Sequence, residues 1–474
     1  IWQDGFRKAA SAFESLVRNG DANAPDHGFL SVIGATAYHL AGYSAMAYSL
    51  INQHYENSNM APIELALSDL ILRNLKRLQA RSKAWLLNQG YSDSELAAKL
   101  SASDIDSDDA IATILTSTIF RAFAYYDFAL LTGDNTLKDQ AFRFLKSAVS
   151  LASKTNSVSI WWIARLSMNI ITDLWTKSMH VVLPQEGPIG SVRFPEIREL
   201  FIGSLYNRDS ADVELWPSQL IAAKRASDIS DNLVVSIPTS AGKTRIAEIA
   251  ALMSLSVNKR VLILTPLRAL SAQMERIFRN TFSPLGYTVS SLYGANGMVL
   301  GDEDALRNRE IVIATPEKLD FALRNDSTLI DDVGLIILDE GHMIGPEERE
   351  LRFEVLIQRL LRRKDAVTRR IVCLSAILPE GEQLNDLTNW IRGDVPGTPI
   401  VSKWRPTRQR YGTLEWWKNS ALLQYDVEGG GPYIRRFVEA KPAILPDRSQ
   451  FPKNKLQLTI AAAWEFALRR KSVL

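Results

Sequence analysis

The sequence predicts an α/β protein in which an all-helical region precedes a mostly parallel sheet. Residues 1–182 show only helical spacing of apolar side chains, whereas short β-branched runs alternate with helical stretches farther along the chain. Strands that alternate with helices imply right-handed crossovers and a parallel sheet covered on both faces. Two different architectures are therefore predicted, one after the other.

Helices are predicted throughout the first 182 residues. Leucine and isoleucine recur at helical spacing from Ile63 to Leu78, after Pro62, a favoured first-turn residue. We interpret residues 1–182 as an all-α accessory or partner domain and the proline- and glycine-rich stretch 183–211 as a linker. Further helices in the first domain are predicted at residues 111–131, 136–153 and 159–179.

Short apolar runs predict the strands of the second domain, residues 212–402. They lie at residues 233–237, 261–264, 288–292, 311–314, 335–338 and 371–374. We interpret residues 403–474 as a basic connector and the start of a further α/β domain that is truncated. An amphipathic stretch at 456–468 predicts a helix there, and it leads to a run at 472–474 that predicts a new strand.

The length and composition are those of a globular protein with several domains. The chain has 474 residues, of which 46% are hydrophobic and 23% charged, and these values exclude a disordered, collagenous or fibrous chain. At about 150 residues per domain, the length suggests roughly three domains. Because the sequence begins at Ile1 rather than at a methionine, we expect it to be part of a longer protein.

Positive charge is concentrated in the last part of the sequence. The chain has a net charge of +2, but residues 401–474 hold 14 basic and 6 acidic residues, a net charge of +8. This basic excess is either a solvated face or a segment that contacts phosphates. The overall balance excludes neither nucleic acid nor an acidic partner.

Cysteine content and hydropathy favour a protein of the reducing cytoplasm. Cys373 is the only cysteine, which excludes an internal disulfide and a cysteine-rich zinc cluster. Residues 29–51 contain no Asp, Glu, Lys or Arg and are long enough to span a bilayer. Their many serine, threonine, tyrosine and histidine side chains instead favour a packed interior helix. We therefore predict a cytoplasmic protein without a membrane segment.

A phosphate-binding loop is predicted between the first strand and the next helix. Ser240-Ala241-Gly242-Lys243-Thr244 follows the run 233–237 and precedes a helical stretch. Backbone N–H groups at such a helix start face an anion, the Lys243 ammonium can reach β- and γ-phosphates, and the Thr244 hydroxyl can ligate Mg²⁺. The general pattern has glycine five residues before Gly242, where this chain has Ile237.

An acidic pair after the fifth strand suits the same site. The apolar run 335–338 leads into Asp339-Glu340-Gly341-His342. Asp339 suits water-mediated binding of Mg²⁺, and Glu340 suits the orientation and deprotonation of an attacking water. The alternative is an acidic pair that caps the next helix. Because both elements follow strands of one sheet, we expect Lys243, Asp339 and Glu340 to converge on one metal-bound triphosphate.

With these elements in order, the sequence resembles the superfamily 2 helicases of DEAD/DEAH-box type over about residues 212–410, nearly the whole first RecA-like lobe. The matching segments are Trp216-Pro217-Ser218-Gln219 (Q motif), 238–244 (motif I), 265–270 (motif Ia), 314–320 (motif Ib), 339–342 (motif II) and 374–379 (motif III). Gly341 occupies the variable third place of motif II, and Ile377 replaces the usual threonine of motif III. The loop, the run Thr315-Pro316-Glu317-Lys318 and Trp404-Arg405-Pro406 resemble the superkiller-type subgroup.

The resemblance implies ATP and Mg²⁺ as cofactors and assigns roles to single residues. The catalytic residues would be Lys243, Asp339, Glu340 and His342, the last as an interlobe coupling residue, with Thr244 and Asp339 at the metal. The nucleotide would be held by Gln219, which reads the adenine, and by Thr239, Ser240, Ala241, Gly242, Lys243 and Thr244. Ser375 and Ala376 would couple hydrolysis to strand movement.

Four residues are candidates for contact with nucleic acid. Thr265, Arg268, Thr315 and Lys318 follow strand ends and offer hydroxyl groups and charges to phosphates, although each also suits a helix start. Their partner would be single-stranded nucleic acid, with DNA slightly favoured over RNA. Binding of this kind is independent of sequence because it reads the backbone.

The leading hypothesis is an ATP-dependent helicase or translocase. By resemblance, a second RecA-like lobe would bring an arginine finger, so we expect these 474 residues alone to bind ATP·Mg²⁺ weakly and to hydrolyse it very slowly. The alternative is a nucleotide-switched scaffold whose helical domain docks a partner. A large accessory domain before such a core also resembles bacterial antiviral defence helicases, which often work beside a nuclease.

Overall fold

The structure is a computed structural model, and it describes residues 2–54, 60–88, 107–239, 241–292, 302–376, 381–406, 411–417, 419–425, 433–442 and 450–468. The chain divides into two compact units, Ile1–Pro406 and Thr407–Leu474. The first unit contains both a helical region and a seven-stranded sheet.

The helical region precedes the sheet, as the sequence predicts. Asp134 shows how a local signal starts one of its helices, because the Asp134 carboxylate accepts a hydrogen bond of 2.7 Å from the N–H of Thr136. The helices predicted from periodicity at 111–131, 136–153 and 159–179 are confirmed within a few residues. The observed helices are α1 (Trp2–Asn19), α2 (His27–Leu40), α3 (Ser44–His54), α4 (Pro62–Ile71), α5 (Leu75–Asn88), α6 (Ser107–Thr132), α7 (Asn135–Lys154), α8 (Val158–Thr176) and α9 (Met179–Val182).

The apolar segment 29–51 is divided between two helices. It falls on α2 and α3, which are separated by a turn in which Gly42 has a φ of 87°. Most of the α2 side chains are buried against other helices. Within the ranges described above, no helix combines the length and the apolar character that crossing a membrane would require.

The stretch from Ile63 to Leu78 is helical, as its spacing predicts, but it contains two helices separated by a break. α4 ends at Ile71, and Arg73 takes a left-handed φ of 61° before α5 begins at Leu75. The Arg73 guanidinium stabilises the turn between the two helices. Its Nη1 donates to the carbonyl of Leu70 at 2.8 Å, and its Nε donates to Glu214 at 2.8 Å. A side-chain contact with a distant residue therefore ends the helix, and hydrophobic spacing carries no sign of it.

The predicted linker also contains packed structure. Within 183–211, α10 (Phe194–Tyr206) buries an apolar face formed by Phe194, Ile197, Phe201 and Leu205. Phe201 packs on Phe282 of the sheet-covering layer, with ring centroids 6.0 Å apart. Most of the proline and glycine residues that indicate a linker therefore precede a helix of the packed core, and Pro195 lies in its first turn.

The sheet has the mostly parallel arrangement that the sequence predicts, in the order β3-β4-β2-β5-β6-β1-β7 with every adjacent pair parallel. The six predicted strands are confirmed, and a short seventh strand lies at the β1 edge. The strands are β1 (Leu233–Ser236), β2 (Arg260–Leu264), β3 (Val289–Leu292), β4 (Ile311–Ala314), β5 (Val333–Leu338), β6 (Arg370–Ser375) and β7 (Ile400–Val401). The helices around them are α11 (Pro217–Ala226), α12 (Lys243–Ser256), α13 (Arg268–Phe282), α14 (Asp302–Asn308), α15 (Pro316–Asn325), α16 (Glu348–Leu361) and α17 (Glu382–Ile391).

The two faces of the sheet belong to different hydrophobic cores. Alternate residues of each strand point to opposite faces, so on β5 Leu335 and Ile337 join one core while Ile336 and Leu338 join the other. The first core also contains the buried side chains of the helical region, of α10 and of α12. The helical region and one face of the sheet thus share a continuous apolar interior.

The second unit contains a small antiparallel sheet that the sequence prediction lacks. Its strands are β8 (Gly412–Trp417), β9 (Ser420–Tyr425) and β10 (Tyr433–Glu439), followed by the pair β11 (Lys441–Pro442) and β12 (Gln450–Phe451). The helix predicted at 456–468 is confirmed as α18 (Lys455–Leu468). The strand predicted at 472–474 lies outside the described residues, and the assignment of this unit to a second lobe stays a prediction.

A buried carboxyl in the helical region predicts a pH-dependent stability. Asp127 on α6 is 3% exposed and accepts a hydrogen bond of 2.7 Å from the hydroxyl of Tyr206. Burial raises the pKa of Asp127 to about 6 from an ordinary value of 3.8. The folded protein binds the Asp127 proton more tightly than the unfolded chain does. This difference contributes fully to the free energy of unfolding below pH 3.8, and the contribution is lost as the pH rises through 6.

We expect Asp127→Asn to raise the free energy of unfolding by about 1–3 kcal/mol at pH 8 and by close to zero at pH 4. The asparagine keeps an acceptor for Tyr206 and removes the buried charge. Urea titrations at the two pH values measure the difference, with Asp139→Asn on the exposed side of α7 as the control. An equal change at both pH values would contradict the burial of a charged Asp127.

Candidate functional site

The phosphate loop leaves β1 and enters α12 through Gly242. The N–H of Ile237 donates to the carbonyl of Ser375 at 3.0 Å, which extends the pairing of β1 and β6 by one residue. Gly242 has a φ of 86°, a left-handed conformation that glycine tolerates, and α12 begins at Lys243. Ile237 stands where the general pattern has glycine; it is buried beside the strand.

Most of the predicted loop residues lie at the N-terminus of α12. Thr239 is exposed in the turn, Ala241 is buried, and Thr244 is half-buried in the first helical turn. Ser240 lies outside the described residues. The N–H groups and the dipole at this helix end favour an anion, as a triphosphate site requires.

α11 braces the loop through two side chains. The Ser218 hydroxyl donates to the carbonyl of Ala241 at 2.8 Å, and Gln219 Nε2 donates to the carbonyl of Gly242 at 3.1 Å. Gln219 Oε1 accepts from the N–H of Trp216 at 2.7 Å. The residue predicted to read adenine thus contacts the loop in this structure, and its role toward the base stays a prediction. The contact made by Ser218 has no signal in the sequence beyond its place beside Gln219.

The structure brings Lys243 and Glu340 together. β5 ends at Leu338, and the N–H of Asp339 donates to the carbonyl of Leu264 on β2 at 2.9 Å. Glu340 has a left-handed φ of 52°, and its Oε1 lies 3.1 Å from the Lys243 ammonium. Both side chains are mostly buried, with exposed fractions of 12% for Lys243 and 20% for Glu340. Residues separated by 97 positions therefore meet at the edge where the parallel strands end.

Asp339 is buried beside this ion pair. Burial and the negative charge of Glu340 raise the pKa of Asp339 to about 6, while Lys243 acts in the opposite direction. Within the described residues, no three His, Cys, Asp or Glu side chains form a group that could hold a metal by themselves. Mg²⁺ fits such a site because it usually takes one or two protein oxygens and completes its shell with water and phosphate. Asp339 and the Thr244 hydroxyl are the oxygens that would hold it.

His342 connects the acidic turn with the end of β6. Its Nδ1 lies 3.1 Å from Ser375 Oγ and 3.2 Å from Glu340 Oε2. Ser375 is fully buried at the end of β6, and the half-buried Ala376 follows it. Ile377, the departure from the usual motif III, lies outside the described residues. The contact between His342 and Ser375 suits the predicted coupling role, which stays a prediction.

The four candidates for nucleic-acid contact lie at the same edge but differ in accessibility. Arg268 is exposed at the start of α13, whereas Thr265, Thr315 and Lys318 are at most 6% exposed. The Thr265 hydroxyl pairs with Ser271 at 2.5 Å, and the Lys318 ammonium pairs with Asp302 at 2.7 Å. These contacts give Thr265 and Lys318 partners within the lobe, and their role toward phosphates stays a prediction.

Two tryptophans join the helical region to the phosphate loop. The Trp404 indole N–H donates to the carbonyl of Gly42 at 3.1 Å, and its ring lies 5.8 Å from the ring of Trp216. The Trp216 N–H in turn donates a hydrogen bond to Gln219, whose side chain contacts the loop. In the sequence Trp404 contributes only to the family resemblance. No local pattern indicates its contact with Gly42, which lies 362 residues away.

A parallel sheet with a phosphate loop after β1 and an acidic turn after β5 defines a P-loop nucleotide-binding lobe. Residues 216–386 match the family model described as DEAD/DEAH box helicase. The resemblance to this family found in the sequence is confirmed over these residues. The narrower assignment to the superkiller-type subgroup stays a prediction.

Relatives match the chain over different lengths. Hachiman protein HamB from Bacillus cereus is 25% identical over 446 residues, which cover 94% of this chain and 37% of that protein. ATP-dependent DNA helicase Hel308 from Pyrococcus abyssi is 33% identical over 228 residues, which cover 46% of this chain and 29% of that protein. The chain thus spans about a third of the length of these relatives. The alignment to HamB includes most of the helical region.

A crystal structure of the helicase MrfA bound to DNA aligns with 43% of this chain and 29% of its own. Its TM-score is 0.36 and its sequence identity 21%.

Proposed function

We propose that the chain is the first RecA-like lobe and an accessory helical domain of an ATP-dependent helicase or translocase. The observation that carries the proposal is the 3.1 Å contact between Lys243 and Glu340, with Asp339 buried beside it. A lysine at a helix N-terminus and two carboxylates at the adjoining strand end are the groups that nucleotide hydrolysis with a metal ion needs. The match to DEAD/DEAH box helicases supports the same reading.

In this proposal each residue of the site has one task. Lys243 and the loop N–H groups bind the β- and γ-phosphates of ATP, and Thr244 and Asp339 hold Mg²⁺, which neutralises charge on the phosphates. Glu340 orients the attacking water and accepts its proton. Because Lys243 and Glu340 are paired in this structure, the arriving phosphates exchange that contact for one of their own.

The proposed substrate is single-stranded nucleic acid, with DNA slightly favoured because the relative Hel308 is named as a DNA helicase. Arg268 supports the proposal, since it is exposed beside the end of β2 at the edge that carries the nucleotide site. Thr265 and Lys318 would join it once their contacts with Ser271 and Asp302 open, and the buried Thr315 once it becomes accessible. Contacts of this kind hold the backbone without reading the sequence.

We expect Arg268→Ala to weaken single-strand binding by the full-length protein about 3- to 10-fold at low salt. It should also lower the slope of log affinity against log salt by about one, because one phosphate contact is lost. Fluorescence anisotropy with labelled oligonucleotides at several salt concentrations measures both quantities. Arg362→Ala is the control, since Arg362 is 69% exposed at the end of α16, toward the opposite edge of the sheet. Equal slopes for the Arg268 variant and wild type would exclude this contact.

A role in antiviral defence, in the cytoplasm and beside a nuclease, completes the proposal. It is supported by the similarity to Hachiman protein HamB, which extends over the helical region as well as the helicase domain. In the proposal this helical region docks the protein partner. Co-purification of a nuclease with the full-length protein, lost on deletion of the helical region, would support it. Unchanged resistance to phage after deletion of the gene would contradict it.

The test of the central function uses the full-length protein. ATP hydrolysis is measured with and without single-stranded DNA and RNA, and displacement of a labelled strand is measured in the same mixtures. The proposal expects hydrolysis that rises with one of the two nucleic acids and requires Mg²⁺. Hydrolysis and displacement that are both absent would contradict it. Hydrolysis with movement but without strand separation would identify a translocase.

A further inference from the structure

The turn that carries the acidic pair rests directly on the neighbouring strands. The N–H of Asp339 is bonded to Leu264 on β2, and the N–H of Gly341 donates to the carbonyl of Leu374 on β6 at 2.9 Å. Between them Glu340 takes its left-handed φ. The turn is therefore held on both sides of β5, and the space beneath Gly341 limits which side chain residue 341 can carry.

The group beneath Gly341 is the thiol of Cys373. A Cβ added at residue 341 would lie 2.2 Å from Cys373 Sγ, where contacts shorter than 3.0 Å are essentially never observed. The backbone of Gly341 lies outside the left-handed region, so an alanine would be excluded by lack of space alone. Restoring a contact of 3.0 Å would need a movement of about 0.8 Å.

The thiol has little freedom to move away. Cys373 is fully buried, and its backbone is paired with Val234 on β1 and Leu338 on β5. Burial raises the pKa of the Cys373 thiol to about 12, so it is a neutral, apolar group at pH 7. A larger residue at 341 would therefore displace the turn rather than the strand.

We propose that the Cys373 sulfur restricts residue 341 to glycine, and that this steric pair keeps the turn, with Glu340 and His342, where ATP hydrolysis requires it. The neighbours of Gly341 make the contacts that such a shift would change, namely Glu340 with Lys243 at 3.1 Å and His342 with Ser375 at 3.1 Å. Residues 341 and 373 thus form one coupled pair. The inference rests on the proposed function, because its consequence for catalysis requires that Glu340 act in hydrolysis.

The geometry predicts that removing the Cys373 sulfur makes room for an alanine at residue 341. Without the sulfur, a Cβ at residue 341 would lie 3.9 Å from the Cβ of residue 373 and 3.7 Å from the carbonyl oxygen of Leu374, both ordinary contacts. The double variant Gly341→Ala/Cys373→Ala therefore has room where Gly341→Ala has none. Cys373→Ala alone leaves only a small cavity and keeps the turn in place.

The experiment is a double-mutant cycle in the full-length protein, with kcat and KM for ATP in the presence of single-stranded nucleic acid. We expect Gly341→Ala to lower kcat about 10- to 100-fold with KM changed less than about 3-fold, because a displacement approaching 1 Å acts on catalysis. Cys373→Ala should lower kcat only slightly, and the double variant should match it. Gly203→Ala, at an open position on α10, is the control for a glycine-to-alanine change.

Two results would overturn the inference: a folded Gly341→Ala protein with the kcat of wild type, or a double variant as impaired as Gly341→Ala. Thermal unfolding of the same four proteins provides a readout that does not need activity. If wild type hydrolysed no ATP, the proposed function would fail, and the inferred consequence of the 341–373 pair for catalysis would fail with it. The melting temperatures would still test whether residues 341 and 373 are coupled. If Gly341→Ala lowered the melting temperature and the added Cys373→Ala did not restore it, the steric pair would be contradicted.

Discussion

Replacement of Glu340 by glutamine is expected to lower the rate of ATP hydrolysis by the full-length protein about 10²- to 10⁴-fold while ATP binding persists. The amide cannot accept the proton of the attacking water, and general-base catalysis contributes a factor of this size. The same change removes the negative partner of Lys243, which lies 3.1 Å away, so the ammonium is available to phosphates. We therefore expect ATP to bind Glu340→Gln as tightly as wild type or more tightly.

Steady-state hydrolysis and equilibrium binding of a fluorescent ATP analogue measure the two effects separately. Glu348→Gln is the control, because Glu348 is 81% exposed on α16 and lies outside the site. Loss of strand displacement with partner binding intact would support the enzyme. Unchanged hydrolysis in Glu340→Gln would exclude Glu340 as the base, and unchanged biological activity without hydrolysis would favour the scaffold alternative.

Substitution of Gly242 by alanine is expected to weaken ATP binding by about 2 kcal/mol, or roughly 30-fold. An added Cβ would lie 1.9 Å from Gln219 Nε2, so the Gln219 side chain must leave. Its hydrogen bonds to the Gly242 carbonyl and the Trp216 N–H are then lost, and the loop loses its brace. The left-handed φ of 86° adds backbone strain of about 1–2 kcal/mol.

Gly286→Ala separates the two causes. Gly286 has nearly the same φ, 87°, but an added Cβ would meet nothing within 4 Å. Both variants should lose stability in urea titrations because of the strained backbone, and Gly242→Ala should lose more because the Gln219 hydrogen bonds are also lost. Only Gly242→Ala should lose affinity for ATP by calorimetry. Equal ATP affinity in all three proteins would show that Gln219 does not determine the shape of the loop.

The sheet and the acidic edge could be predicted from the sequence because their signals are local. Each strand is a short apolar run with β-branched residues, and parallel strands place their ends on one edge, so Lys243 and Glu340 were expected to meet. The phosphate loop and the acidic turn follow strands directly. No distant contact is needed to recognise them.

The parts that were missed depend on contacts between distant residues. Arg73 ends α4 because it binds Glu214, and α10 replaces part of a predicted linker because Phe201 packs on Phe282. Similarly, no local pattern in the sequence indicates that the Lys318 ammonium contacts Asp302. The antiparallel strands between residues 412 and 439 were also not predicted, because residues 403–474 were interpreted as a basic connector and the start of a further α/β domain.

The most direct test of the central claim is a crystal structure of the full-length protein with Mg²⁺ and a non-hydrolysable ATP analogue. The account predicts that Lys243 Nζ leaves Glu340 to contact the β- and γ-phosphates, with Thr244 and Asp339 directed at the metal. The carboxylate of Glu340 should lie opposite the γ-phosphate. A nucleotide bound elsewhere, with Lys243 still paired to Glu340, would contradict the assignment of this edge as the site of ATP hydrolysis.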